Sequence, residues 1–291
     1  MTSIRQRLLL DADWRFHRGD TPPLPPLTSH GDTYDFSKAV RGRGPAALEY
    51  YDLNWETVRL PHDFVVGGVP DPNLNEAQGY LPRGKAWYRR AFQLEDSDQD
   101  KRLVLLFDGV TSHATVYVNG HLMARNFCGY TSFPVDITDV ARFDGVNVVS
   151  VYVDADPIEG WFYEGGGINR HVWLLKMAKV AVDVWGVYVH PRQRNDQVWS
   201  VPVQTTVRNV SRADAQVTVA HTVCAPDGSA VVTGSQDLKV AAKACVQGEI
   251  VLMAESPALW DLESPTLYTL RTCVTQDGCV LDETETVFGF R

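Results

Sequence analysis

Two short apolar runs that each end in a turn dipeptide constrain this chain more than any other feature. Residues 103–107 close on Asp108-Gly109, and the β-branched and aromatic run 115–118 closes on Asn119-Gly120 before the chain returns through residues 121–124. Asn-Gly suits a two-residue hairpin because both central residues of that turn take positive φ, which these two tolerate. Such composition fits strands with a core on one side and a second layer on the other. Residues 102–126 therefore predict the centre of a β-sandwich or barrel.

Further strands are predicted over residues 8–17, 55–64 (stopped by Pro61), 86–94, 146–153 with both faces buried, and 171–177. Residues 21–27 hold four prolines in seven positions. Proline fixes φ and removes a donor, so this stretch reads as an exposed loop. Residues 69–84 read as a long loop rich in glycine, proline and asparagine, 127–140 as an aromatic loop, and 154–170 as an irregular stretch with Trp161-Phe162-Tyr163 before Gly165-Gly166-Gly167. From about Val180 the texture changes to seven strands, at 182–189, 199–210, 215–223, 230–233, 249–253, 268–274 and 280–288, with turns at 209–211, 226–228 and 277–278. Seven strands in about a hundred residues predict an immunoglobulin-like sandwich. No stretch of any length carries the helical period, which argues against an α/β enzyme within this chain.

With 291 residues, 44% of them hydrophobic and 10% aromatic, about two domains with well-filled cores are expected. A net charge of −9 offers no basic stripe to displace counterions from phosphates, which argues against nucleic acid and anionic membrane as partners. The five cysteines, Cys128, Cys224, Cys245, Cys273 and Cys279, are odd in number and have no CxxC spacing. They signal neither a disulfide framework nor a zinc site, and a reducing cytoplasm is the expected setting. Arg5 and Arg7 precede only three leucines, too few for a signal peptide, and no later apolar run reaches membrane-spanning length.

Catalytic signatures within the chain are weak. Gly165-Gly166-Gly167 lacks the spacing of a phosphate loop and a helix behind it, so close backbone approach explains it better. The eight histidines show no metal-binding spacing, and no Gly-x-Ser-x-Gly elbow is present. Six carboxylates, Asp63, Glu76, Asp154, Asp156, Glu159 and Glu164, lie in or beside the aromatic loops. Sugars are held by carboxylates and amides that bind hydroxyls and by aromatic faces that cover the apolar side of the ring, and these loops hold both. Trp87, on its strand, is expected in the core. For Tyr80, Trp161, Phe162 and Tyr163 the residues alone leave core and sugar contact both open.

The chain also resembles the front of glycoside hydrolase family 2. The resemblance is carried by Trp55 with Leu-Pro-His-Asp-Phe at 60–64, Gly-Tyr-Leu-Pro at 79–82 leading to Trp-Tyr-Arg-Arg at 87–90, and Phe-Asp-Gly-Val at 107–110. It continues through Val-Asn-Gly at 118–120, Gly-Tyr-Thr-Ser-Phe at 129–133 and Gly-Ile-Asn-Arg-His-Val-Trp at 167–173. Trp260, Pro-Thr-Leu-Tyr at 265–268 and the final Val-Phe-Gly-Phe-Arg are similar to the end of that family's second domain. The Gly-Tyr-Leu-Pro and Trp-Tyr-Arg-Arg pieces look most like the β-galactosidase branch, ahead of the β-glucuronidase and β-mannosidase branches.

The resemblance implies an all-β chain, with a jelly-roll sugar-binding sandwich at 1–179 and an immunoglobulin-like sandwich at 180–291. In the family these precede a (β/α)8 barrel that carries two glutamates of a retaining mechanism. This chain stops where that barrel should start, so it is expected to complete a sugar pocket, to pair with the barrel of its own polypeptide and to be inactive alone. Asn75-Glu76 mimics the family's catalytic pair but precedes any barrel and is read as coincidence. By position after the last long strand of the jelly roll, Asp154 is the expected contact to sugar hydroxyls, with Asp156 as its rival. Tyr80 to Gly84 and Trp161 to Glu164, above all Tyr80, Trp161 and Glu164, are expected at the pocket rim. The family often has a serine or tyrosine where this chain has Gly166 and Asn169, so its neighbouring contacts differ. The partner implied is a β-galactoside. No cofactor is expected, while a sodium, magnesium or calcium ion in the whole enzyme, homo-oligomerisation and a free-standing carbohydrate-binding or adhesion module stay open.

Overall fold

The computed structural model describes residues 5–22, 29–31 and 42–291. Most of the proline-rich loop expected at 21–27 lies outside them. Two compact units emerge, Arg7–Lys176 and Met177–Arg291, with Arg5 and Gln6 belonging to the second.

The first unit is a sandwich of jelly-roll type. Its strands are β1 (Gln6–Leu9), β2 (Trp14–Arg18), β3 (Glu56–Val58), β4 (Lys85–Phe92), β5 (Lys101–Phe107), β6 (His113–Val118), β7 (His121–Asn126), β8 (Phe133–Asp136), β9 (Asn147–Asp154) and β10 (Val172–Ala178). A six-stranded sheet runs β3-β2-β4-β9-β6-β7 and a four-stranded sheet β1-β10-β5-β8. Ala86 and Tyr88 of β4, Val116 and Val118 of β6 and Val149, Val151 and Val153 of β9 meet Leu103, Leu105 and Phe107 of β5 and Leu174 of β10 in one core. Burying branched and aromatic side chains from both sheets is what holds such a sandwich together.

The Asn-Gly hairpin forms as expected. Asn119 and Gly120 take φ of 50° and 85° and join β6 to β7. The two opening runs separate, however: β5 lies in the four-stranded sheet and β6 in the six-stranded one, so residues 108–112 cross from one layer to the other. The segment 8–17 is also not one strand, because Asp13 takes φ of 61° and divides β1 from β2. Trp14 and Phe16 still point inward, and the Trp14 indole N–H donates to the Leu10 carbonyl at 2.7 Å.

Two further expectations are corrected. Residues 127–140, read as a loop, contain β8, which pairs with β5 at the sheet edge. Its Pro134 and Asp136 obscure the strand, yet an edge strand tolerates a proline because it need not donate on its open side. Trp87, expected in the core, lies half-buried on the other face of the six-stranded sheet, in ring contact with Tyr152 at 4.9 Å and Tyr117 at 6.2 Å between centroids. Alternation decides this: Ala86 and Tyr88 take the core side, which sends Trp87 outward.

The second unit is an immunoglobulin-like sandwich of β11 (Val180–Val189), β12 (Arg192–Gln193), β13 (Val198–Asn209), β14 (Ala215–Cys224), β15 (Ala230–Val240), β16 (Cys245–Glu255), β17 (Tyr268–Gln276) and β18 (Cys279–Phe288). β13 pairs with β11, β12 and β16, while the other sheet runs β15-β14-β17-β18. The strands read as 230–233 and 249–253 extend to eleven residues each. Their added residues alternate polar and apolar on a largely exposed face, which weakens the apolar signal of a strand.

Candidate functional site

Three strands of the first unit bring Asp154 onto the outer face of the six-stranded sheet. The register pairs Lys85 with Asp154 and Asp154 with His113, so side chains from β4, β9 and β6 form one row. The next row holds Trp87, Tyr152 and Thr115. Asp154 is the last residue of β9, and its Oδ1 accepts the Asp156 backbone N–H at 3.0 Å. Lys85 Nζ stands 4.0 Å from its Oδ2. His113 Nε2 lies 2.7 Å from Glu159 Oε1. The Tyr152 hydroxyl donates to Asp20 at 3.4 Å, and burial, then the charges of Asp20 and Asp154, push that phenol well above its ordinary range.

Beside this row, a buried polar clasp joins the loop before β4 to the loop after β9. Gln78 Nε2 donates to the carbonyls of Gly160 and Phe162 at 3.1 and 2.7 Å, while its Oε1 accepts from Arg83 Nη1 and from the Glu164 N–H. Arg83 also donates to the carbonyls of Ala155 and Pro157 and pairs with Glu164 Oε2 at 3.1 Å. Gln78 and Glu164 are 1% and 8% exposed. Glu164, expected at the pocket rim, thus spends its carboxylate inside the protein, on Arg83 and on the Glu159 N–H. Buried charges persist only when paired and hydrogen-bonded, and this pair meets that condition.

Asp63, from the Leu-Pro-His-Asp-Phe motif, ties down the far end of the same loop. Its Oδ1 accepts the N–H groups of Val65 and Gly166 at 2.9 and 3.0 Å, and its Oδ2 accepts the Tyr163 hydroxyl at 2.8 Å. Burial and that hydrogen bond push the Tyr163 phenol up. The glycine triplet allows the close approach that the sequence predicted: a Cβ on Gly166 would lie 2.7 Å from Val65 Cγ2, and one on Gly167 2.5 Å from the His62 carbonyl oxygen. His62 Nδ1 meets the Tyr88 hydroxyl at 2.8 Å, and burial lowers the His62 pKa.

Asp154 and Asp156 are thus adjacent on the sheet end, with the loop bearing Trp161 pinned next to them. Trp161 is 92% exposed, Phe162 57% and Tyr163 38%, so all three aromatics reach the surface. Tyr80 takes φ of 56°, is 39% exposed and offers its hydroxyl to Glu76 at 3.4 Å. Sequence reasoning missed Gln78, Lys85 and His113, and reached Arg83 only as part of the rim stretch 80–84. Arg83 and Lys85 flank the Trp-Tyr-Arg-Arg motif and could have been noticed as cations facing a carboxylate-rich loop, whereas nothing local marks Gln78.

Chemically the site offers carboxylate acceptors, hydroxyls and flat aromatic faces. Of its carboxylates, Glu164 is bound to Arg83, Asp63 accepts three donors, and Asp154 accepts the Asp156 N–H with Lys85 4.0 Å away. Among the described residues no cluster of three or more His, Cys, Asp or Glu side chains could hold a metal ion. No helix among them is long and apolar enough to cross a membrane.

The sequence family described as Glycosyl hydrolases family 2 matches residues 182–291, and Glycosyl hydrolase 2 galactose-binding domain-like matches residues 64–162. Beta-galactosidase BoGH2A of Bacteroides ovatus is 32% identical across 100% of this chain and 32% of its own length. A Beta-glucuronidase of Formosa agariphila is 25% identical across 91% of this chain and 30% of its own. Among solved structures, a glycosyl hydrolase family 2 member from Bacteroides cellulosilyticus covers 98% of this chain and 36% of its own, with 26% identity and a TM-score of 0.80. A beta-glycosidase from Bacteroides vulgatus covers 98% and 34%, with 27% identity and a TM-score of 0.81. The chain spans about a third of the length of the curated relatives it matches.

Proposed function

The chain belongs to glycosyl hydrolases family 2, and from that premise we propose that it is the non-catalytic front of a retaining β-galactosidase in carbohydrate metabolism. In this reading a catalytic barrel of the same polypeptide supplies the two glutamates, and the loop end of the first sandwich completes the sugar pocket. The observation that carries it is Asp154, held half-exposed at the end of β9 with one oxygen fixed by the Asp156 N–H and the other turned toward Lys85. A carboxylate so oriented accepts hydrogen bonds from sugar hydroxyls, and charge-assisted bonds gain strength once a pocket excludes water. Asp156, Tyr80 and Trp161 stand at the rim, and Glu164 keeps its place from beneath through Arg83.

Electrostatics favours a neutral galactoside over a glucuronide. A uronate carboxylate needs an available cation, yet Arg83 is committed to Glu164 and to carbonyls, and Lys85 faces Asp154. Asp154, Asp156 and Glu159 leave this rim acidic, which repels a second carboxylate. The relative with 32% identity carries the name beta-galactosidase, which supports the same choice. Five unpaired cysteines support a reducing, cytoplasmic setting.

The test compares hydrolysis of chromogenic β-galactoside and β-glucuronide by the full-length enzyme and its Asp154→Asn variant. We expect the galactoside to be preferred, the variant to lose about 100-fold in kcat/KM, and the 291-residue chain alone to be inactive. Preference for the glucuronide sinks the substrate assignment, and an unchanged variant sinks the role of Asp154.

A further inference from the structure

Arg83 stands just ahead of Gly84, whose carbonyl accepts the Ala155 N–H at 2.9 Å and so carries the β4–β9 pairing one residue beyond Asp154. Its side chain, only 8% exposed, spreads its donors over the segment that follows Asp154. Nε binds the Ala155 carbonyl and Nη2 the Pro157 carbonyl at 2.8 Å, while Nη1 is held by Gln78 Oε1 at 2.6 Å and by Glu164 Oε2 at 3.1 Å. A planar fork with donors on three nitrogens spans two carbonyls and keeps an acid on its other edge, which the single ammonium of a lysine does not.

The bond to Ala155 bears directly on Asp154. A trans peptide is planar, and its C=O and N–H point to opposite sides. The peptide joining Ala155 to Asp156 therefore ends on Arg83 Nε at one side and, through the Asp156 N–H, on Asp154 Oδ1 at 3.0 Å on the other. We propose that Arg83 is a positioning residue that aims the Asp154 carboxylate through this peptide without touching the sugar. With Oδ1 tied down and Oδ2 facing Lys85 at 4.0 Å, the carboxylate is held in one orientation toward a sugar hydroxyl. Such a contact depends on the shell behind it, because a displacement of about 1 Å forfeits much of its worth. Gln78 and Glu164 in turn fix the guanidinium.

This deepens the reading of Asp154 as a sugar contact and rests on it, so the experiment separates the two. In the full-length enzyme, Arg83→Lys, Asp154→Ala and the double variant are assayed on whichever chromogenic β-galactoside or β-glucuronide the enzyme cleaves. Arg83→Lys keeps a cation beside Glu164, so we expect it to fold and to lose about tenfold in kcat/KM. In Asp154→Ala no carboxylate is left to aim, and adding Arg83→Lys should cost less than about twofold more. Asn119→Gly, which weakens the same unit at the β6–β7 turn, should leave kcat/KM unchanged. A loss there as large as that of Arg83→Lys would reduce Arg83 to general support and overturn the proposal. A crystal structure of the Arg83→Lys enzyme should show the Ala155–Asp156 peptide turned and its N–H withdrawn from Asp154 Oδ1. Losses that multiply in the double variant, or an unmoved peptide, also overturn it. Full activity of Asp154→Ala brings down the sugar contact instead, and the crystal structure then decides the aiming by itself.

Discussion

Glu164 and Asp154 both belong to the loop side of β9, yet their carboxylates meet different demands. Glu164 is buried against Arg83, so removing it strands a guanidinium whose remaining partners are neutral oxygens. Breaking a buried pair by deleting one member is costly, and Glu164→Ala should lower unfolding stability by about 3 kcal/mol, with Glu164→Gln costing less because it keeps the shape and an acceptor for the Glu159 N–H. Urea unfolding measures both. Asp154 is half-exposed with its lysine 4.0 Å away, so Asp154→Asn should change stability by under about 0.5 kcal/mol. Equal costs for the two sites would contradict this division of roles. The carboxylates were visible in the sequence as a set, but which of them faces inward depends on Arg83 and Gln78, brought near by strand pairing that no local pattern encodes.

The β6–β7 hairpin shows where element-scale reasoning succeeds. Asn-Gly predicted the turn from backbone preference alone, and Asn119 does more than tolerate its positive φ. Its Nδ2 donates to the Val140 carbonyl and to Asn147 Oδ1 at 2.8 and 2.9 Å, and its Oδ1 accepts the Val148 N–H at 2.8 Å, which fastens the turn to the start of β9. Asn119→Gly keeps the conformation and loses these bonds, whereas Asn119→Ala loses both. We expect costs of about 1–2 and about 2–3 kcal/mol respectively, read from thermal melts. Equal costs would mean that φ is not what selects asparagine here. Strands whose one face alternates cleanly against a core, such as β6, were legible. β8 was not, because its proline and its pairing at an edge erase the alternation, and Trp87 was misplaced because an aromatic residue on a strand fits either face until its neighbours choose.

At the scale of the molecule, the two units should respond to acid to different extents. In the second unit His221 is fully buried between Thr205 and Thr272, at 3.3 and 3.1 Å, and burial pulls its pKa down to about 4. An unfolded histidine titrates near 6.5, so between about 6.5 and 4 the unfolded chain holds a proton that the native one refuses. Stability of that unit therefore falls as pH drops through this window, by up to about 3 kcal/mol, and levels below it. In the first unit the fully buried Asp98 accepts from Lys176 at 2.6 Å and Lys101 at 2.9 Å. Burial alone would raise its pKa, but these hydrogen bonds prevail and hold it below the ordinary 3.8. A carboxylate with a depressed native pKa contributes its stability above its unfolded value and loses it as pH falls through the native one, so this contribution is lost only below about pH 4. Hydrogen exchange followed by peptide mass analysis at pH 7, 5 and 4 should show protection falling most in the strands around His221, with a smaller loss in β5 and β9, since burial also lowers the His62 pKa in the first unit. His221→Gln should flatten that dependence while leaving the first unit as it was, because glutamine does not titrate. A greater loss of protection in β5 and β9 would place the acid-sensitive group in the first unit and overturn the assignment.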